Sequence, residues 1–360
     1  MSTPLLVPAL AARRRHSMAW LVVVAAAAVL FLVAVTSMGI GAMSIPAGRV
    51  VALLAAEIGF EPRVLAGVDA TTIARERAVL VAIRAPRVLG AVLIGASLAV
   101  SGATLQGLFR NPLADPALVG VSAGAAVATA AVIVLGGAVV VWTRPIAAFL
   151  GSLVATALVY VLATRDRRTD VATLLLAGIA VNALAGAGNG LFTFLADDAQ
   201  LRDITFWTLG SLGGLTWRAL AVSAPVMIVG ILVLPRLARE LNALLLGERE
   251  AAHIGTNVQL VKVVSVALVA AGVGASVSVS GIIGFIGLVA PHLVRLSIGP
   301  DYRTLLPGSA VLGAILLLLA DLVARTIVAP AELPIGIVTA LVGAPFFIWL
   351  LLRNRRRSHA

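Results

Sequence analysis

The chain is expected to be an all-α polytopic membrane protein of about ten transmembrane helices, and three observations carry that expectation. Hydrophobic residues make up 61% of the 360 and mean hydropathy is +1.08, whereas soluble domains are about 45–50% apolar. Nearly all charge lies in the gaps between apolar stretches. Most of those stretches approach the ~20 residues a helix needs to cross a hydrocarbon core about 30 Å thick.

In chain order the stretches are 18–38, 86–108, 118–138, 146–164, 171–195, 217–235, 260–281, 282–297, 305–328 and 334–352, the eighth being short. The first is too long for the apolar part of a signal peptide, and no small-residue cleavage site follows it, so it reads as a span. The widest gaps, 39–83, 196–216 and 236–259, are too short for a soluble domain. The organisation expected is a cytoplasmic segment 1–17, one membrane domain 18–352 and a basic cytoplasmic tail 353–360.

Charge sets the orientation through the excess of Lys and Arg in short cytoplasmic loops. With Arg13, Arg14 and Arg15 inside, ten crossings also place Arg165, Arg167 and Arg168, Arg236, Arg239 and Arg249, and the Arg353–Arg357 cluster inside. Both termini are then cytoplasmic, in the inner or plasma membrane. The five tryptophans fall near span ends or in adjoining loops, as an interfacial belt requires. The net charge of +11 is spread along these edges, so nucleic acid is not an expected partner. Of 27 Lys and Arg residues only Lys262 is lysine, which reads as codon usage and carries no mechanistic weight at this level.

Gly95-Ala96-Ser97-Leu98-Ala99-Val100-Ser101-Gly102 recurs as Gly274-Ala275-Ser276-Val277-Ser278-Val279-Ser280-Gly281. A weaker echo pairs 178–184 with 336–341. Repeats of spans 2–5 and 7–10, offset by five crossings, would be inverted in the membrane, a construction found in transporters. The same small residues also suit plain helix packing, including Gly186 and Gly190 in span five. Gly and Pro inside 281–291 and 334–345 point to broken or bent helices, tolerated where protein or a water-filled cavity meets the freed backbone.

The chemistry that is missing narrows the function. There is no phosphate-binding loop with its lysine, so the chain is not itself an ATPase. Cysteine is absent, excluding disulfides and thiolate metal sites. His16, His253, His292 and His359 lack metal-ligand spacing. Gly120-Val121-Ser122-Ala123-Gly124 matches a nucleophile elbow in letters only, since it opens an apolar span. Asp321 is the lone carboxylate well inside a span and stands four residues before Arg325, with which it can neutralise itself. No catalytic residue, metal site or cofactor is expected in this chain. A proton-coupled carrier would need more buried ionisable groups.

Six motifs in one order complete the picture: Arg84-Ala85-Pro86-Arg87-Val88-Leu89; Ser101 to Pro116, including Gln106-Gly107 and Asn111-Pro112-Leu113-Ala114-Asp115-Pro116; Trp207-Thr208-Leu209-Gly210-Ser211-Leu212; Leu246-Gly247-Glu248 with Ala252-His253-Ile254-Gly255; Gly284 to Arg295, including Ala290-Pro291-His292; and Glu332-Leu333-Pro334-Ile335-Gly336. Across about 18–352 the chain resembles the FecCD-type permeases of ABC importers for iron–siderophores, haem and cobalamin. The resemblance implies a pair of permease subunits, homodimeric or heterodimeric, two cytoplasmic subunits that use ATP and Mg, an extracytoplasmic substrate-binding protein, and ferric siderophore as the leading cargo.

It also implies site residues. Arg84, Arg87 and Arg325 would meet acidic groups on the binding protein. Leu246, Gly247, Glu248, Arg249, Ala252 and Gly255 would seat in the ATPase as a coupling loop. Ser122, Asn182, Asn189, Thr193 and Thr339 would line the pathway, with an inner gate at Arg168, Thr169 and Asp170. Read from residues alone, the first three could equally be snorkelling arginines and the second set a solvated loop. Two other classes stay open, an ion-gradient carrier dependent on Asp321 and an intramembrane enzyme or scaffold.

Overall fold

A computed structural model describes residues 6–41, 43–60, 63–65, 67–136, 142–165 and 168–357. Arg167 and the ends 1–5 and 358–360 of the terminal segments lie outside the described residues. In chain order the helices are α1 Leu6–Gly39, α2 Ala47–Glu57, α3 Ala70–Ala78, α4 Ala85–Leu108, α5 Val121–Leu135, α6 Thr143–Leu162, α7 Val171–Leu195, α8 Asp198–Leu209, α9 Trp217–Val233, α10 Ala238–Leu244, α11 Glu248–His253, α12 Val258–Ser280, α13 Ile286–Ile298, α14 Tyr302–Thr326 and α15 Ile335–Arg357. The strands described are β1 Thr164–Arg165 and β2 Arg168–Thr169, an antiparallel pair in the α6–α7 connection.

Every apolar stretch became a helix, and seven of the helices are long and apolar enough to cross a membrane; Val121–Leu135, Ile286–Ile298 and Ile335–Leu350 are shorter apolar helices. The gaps are helical too. The 39–83 gap folds into α2 and α3, whose small core of Ile45, Val50, Leu53 and Leu80 packs on Val35 and Met38 of α1. Asp69 starts α3 by accepting from Thr71 N and Thr72 N. A π-helical turn, Val79–Arg84, joins α3 to α4 without a break. In the first segment where a broken or bent helix is expected, α12 stops at Ser280, residues 281–285 are non-helical, and Phe285 takes a left-handed conformation before α13. In the second such segment α15 starts at Ile335, directly after Pro334, and continues through Gly343 and Pro345 as one helix.

Burial ranks the helices. The hydropathic window containing α4 is 83% buried, against 11% for α1 and 28% for each of α6, α7 and α9. So α4 is the central post, with α9, α12, α13 and α14 around it, and the others present apolar faces outward. The first half packs as α4 on α14, α5 on α6, and α7 on α5 and α6. The second half packs as α12 on α6, α13 on α14, and α15 on α13 and α14. Gly95 faces α14 while Gly274, its counterpart in the octapeptide repeat, faces Ser152 of α6.

Small residues permit these approaches. A β-carbon on Gly95 would lie 2.4 Å from the Gly313 carbonyl oxygen, and one on Gly102 would lie 2.0 Å from that of Gly287. Gly186 and Gly190 have nothing within 4 Å of theirs, so their spacing serves no contact inside this chain.

Gly102→Ala should therefore lower stability by about 1–3 kcal/mol through overpacking. Gly48→Ala, in open space within α2, should be neutral or stabilising by up to about 1 kcal/mol. Thermal unfolding of the detergent-solubilised chain compares them.

Candidate functional site

The expected site residues fall at two opposite ends of the helix bundle and along α5, α7 and α15. At the end that the charge bias assigns to the outside, Arg84, Arg87 and Arg325 converge, but not as free charges. They are 5%, 6% and 7% exposed. Arg84 donates to the carbonyls of Met38 (2.7 Å), Gly39 (3.0 Å) and Met43. Arg325 donates to the carbonyl of Ser37 (2.7 Å) and to its hydroxyl. The last turn of α1 leaves orphan carbonyls and the negative end of a helix dipole, and two guanidinium groups satisfy both. Arg87 Nε donates to Asp321 Oδ1 at 2.9 Å, and its Nη1 to Glu332 Oε1 at 2.7 Å. Asp321 Oδ2 lies 3.5 Å from Arg325 Nε.

The expected Asp321–Arg325 pairing is thus present, with Arg87 added. These arginines are buried and have internal partners, because the chain folds α1 and the 327–334 connection over them. Glu332, whose side chain is 44% exposed, is the member of the knot that reaches the surface.

At the opposite end the 236–259 loop forms two short helices. Asn242 on α10 donates to Asp301 Oδ1 (2.7 Å) and accepts from Tyr302 N (3.0 Å), fixing α10 to the start of α14. Gly247 (φ +127°) and Gly255 (φ +91°) bracket α11 with turns that L side chains rarely adopt. Ala251 packs inward. Leu246 is 69% and Ile254 65% exposed, and Arg249, Glu250, Ala252 and His253 are exposed around them. An apolar pair within a charged rim at a loop tip has the make-up of a protein-docking surface.

Close by is the α6–α7 hairpin. Arg168 is exposed, Thr169 is buried, and Asp170 caps α7 by accepting from Thr173 N and Oγ1, each at 2.7 Å. Those hydrogen bonds, with Lys262 nearby, hold the Asp170 carboxyl below the usual range. Thr169 Oγ1 bonds Tyr160 Oη (2.9 Å) and Gln259 Nε2 (2.7 Å), and Gln259 Nε2 also reaches Tyr160 Oη (2.8 Å). Lys262, 3% exposed, donates to the Thr169 carbonyl (2.6 Å) and to Glu248 Oε2 (2.7 Å). Tyr160, Gln259 and Lys262 belong to no motif read in the sequence. Only the singularity of the lysine signalled any of them.

The pathway candidates do not meet within one chain. Ser122, Asn182, Asn189 and Thr193 lie on the α5–α7 pair and Thr339 on α15. Asn182 donates to the Ala117 carbonyl (2.9 Å), while its own Oδ1 and that of Asn189 lack partners. Thr339 is buried and bonds back to Gly336. The recess between α5, α6 and α7, about 790 Å³, is lined by Val154, Leu158, Leu184 and Leu191 and by none of the five. Ser122 follows a 3-10 turn, not a strand, so it is no nucleophile elbow. His292 packs edge-on to Phe346 and Phe347, with centroids 5.8 and 6.2 Å apart, and bonds through neither ring nitrogen. Among the described residues no three His, Asp or Glu side chains form a metal-holding group.

Residues 28–353 match the model of the FecCD transport family. The chain is 50% identical over 283 residues to the hemin transport system permease protein HmuU of Yersinia pestis, covering 76% of this chain and 83% of that one. It is 47% identical over 276 residues to the cobalamin import system permease protein BtuC of Halobacterium salinarum, covering 77% and 74%. Among solved structures, an inward-facing metal-chelate type ABC transporter superposes with a TM-score of 0.80 at 31% identity, over 92% of this chain and 99% of that one.

If Arg87 holds the outer knot together, Arg87→Met should cost about 3–5 kcal/mol by leaving Asp321 under-compensated. Glu332→Gln, at a half-exposed partner, should cost under ~1 kcal/mol. Titration with a denaturing detergent, followed by tryptophan fluorescence, would show equal stabilities if Arg87 were a free docking charge.

Proposed function

The chain belongs to the FecCD transport family, and from that premise we propose that it forms half of the translocation pathway of an ABC importer for a metal chelate in the cytoplasmic membrane. That it is a multi-pass ABC importer permease subunit follows from the family and its relatives. The cargo, the subunit pairing and the ten-crossing, inverted-repeat topology are the proposal.

The observation that carries it is the pair of short helices α10 and α11. A rigid, anchored loop with Leu246 and Ile254 outward is what a chain without a nucleotide site needs to receive force from an ATPase that uses ATP and Mg. The matched packing of the two halves supports alternation of access around a central axis. Gly186 and Gly190 on α7, open in the single chain, suit close approach by a second permease subunit. The pathway residues Asn182, Asn189, Thr193, Ser122 and Thr339 would then be completed by that partner, with Arg168, Thr169 and Asp170 as the inner gate.

Docking of the extracytoplasmic binding protein falls to the rim that Arg84, Arg87 and Arg325 organise and not to those side chains directly. The ion-gradient alternative loses its strongest residue, because Asp321 is pinned between two guanidinium groups. Ferric siderophore, hemin and cobalamin are the three cargo candidates. Hemin and cobalamin are the ones named for the relatives above.

Reconstituted alone in liposomes, the chain should accumulate none of the three. With ATPase subunits and ATP it should accumulate one. Leu246→Glu should reduce co-purification of the ATPase at least tenfold. Uphill uptake by the chain alone would overturn the proposal.

A further inference from the structure

Twenty-six of the 27 basic residues in this chain are arginine, and the charge of the exception sits at the junction of three elements. Lys262 lies in the second turn of α12 and is 3% exposed. Its ammonium donates to the main-chain carbonyl of Thr169, in the hairpin, and to the carboxylate of Glu248, at the start of α11. It also acts electrostatically on Asp170, the cap of α7. A single nitrogen therefore holds the docking helix on one side and the hairpin on the other.

Beside the Thr169–Tyr160 hydrogen bond to α6, a second residue of α12 holds the hairpin. Gln259, one turn earlier on α12, takes Thr169 by its amide (3.2 Å) and its hydroxyl. Thr169 is thus gripped at N–H, hydroxyl and carbonyl by two residues of α12, while α12 reaches α11 through Lys262 and Glu248.

Resting on the reading of α10–α11 as the ATPase-facing loop and of 168–170 as the inner gate, we propose that Lys262 is a positioning residue that transmits displacement of α11 to the gate, with Glu248 and the Thr169 carbonyl as its two ends. Coulomb attraction in a partly buried site is several-fold stronger than in water, so the link carries load in both directions. It can also let go: Glu248 is 40% exposed and can exchange its bond for water. Lysine suits this post better than arginine. An ammonium is a compact point with rotatable donors on a flexible stem, whereas a guanidinium presents a rigid fork that would hold the two acceptors apart.

Two measurements test the proposal. The chain has no cysteine, so spin labels at Arg168→Cys and Arg249→Cys report the hairpin-to-α11 distance in the full chain in nanodiscs. The proposal expects a narrow distribution with Lys262 and a broad one with Lys262→Met, with Lys262→Arg shifted to longer distance. Should Lys262→Met fail to fold, Glu248→Gln removes the charge from the other end and should broaden the distribution likewise. In vesicles carrying the ATPase subunits, with hemin, cobalamin and a ferric siderophore as probes, Lys262→Met should lower uptake per ATP hydrolysed at least tenfold, and Lys262→Arg should restore less than half of it. Unchanged distances together with an unchanged transport-to-hydrolysis ratio would overturn the role of Lys262 and leave the importer reading intact. Failure of the unsubstituted chain to bind any ATPase would remove the importer reading itself.

Discussion

The bundle depends on how it handles one buried carboxylate. Asp321 is 1% exposed near the end of α14, where neither water nor lipid can solvate a charge. Arg87 of α4 and Arg325 of its own helix compensate it. Those arginines reach on to Glu332 and Ser37, and Arg84 caps the end of α1 beside them. Through this knot the central post, α14, the peripheral α1 and the approach to α15 share one polar cluster. Removing any cation would leave a buried charge or a frayed helix end, which makes the outer end the stiffest part of the charge arrangement.

The inner end uses the same chemistry for an opposite purpose. Around Lys262 the anchors on α12 are buried, but the partner on α11 is half exposed and the hairpin that it grips is two residues per strand. Small helices held by one or two hydrogen bonds open and close at far lower cost than a helix packed through glycine contacts. The two ends differ in their centres: one is built around Asp321, buried between Arg87 and Arg325, and the other joins a buried ammonium to a half-exposed carboxylate.

The apolar helices were legible in the sequence because lipid imposes a length and a composition on every crossing. The break at 281–285 was legible because Gly281 and Gly284 interrupt an apolar run. The octapeptide repeat around Gly95 and Gly274 was legible as letters, and each glycine does meet another helix closely. What pattern could not supply was which polar groups meet across long sequence separation. Arg87 and Asp321 are 234 positions apart and Lys262 and Thr169 are 93 apart. Seen one at a time, an arginine at a span end looks like a snorkelling or docking charge, and a lone lysine looks like composition. His292 packs against two phenylalanines that only the α13–α15 contact brings near.

These two ends constrain how the chain can move. Gly95 against Gly313 and Gly102 against Gly287 leave no room for α4 to slide on α14 or α13 without carbonyl contact. Helices so meshed move as bodies. The knot at Asp321 adds α1 to that body. At the opposite end the hairpin is held instead by hydrogen bonds with Lys262, Gln259 and Tyr160. On the proposed reading of α11 as the ATPase-facing helix, a push there would displace 168–170 before it rearranged the core.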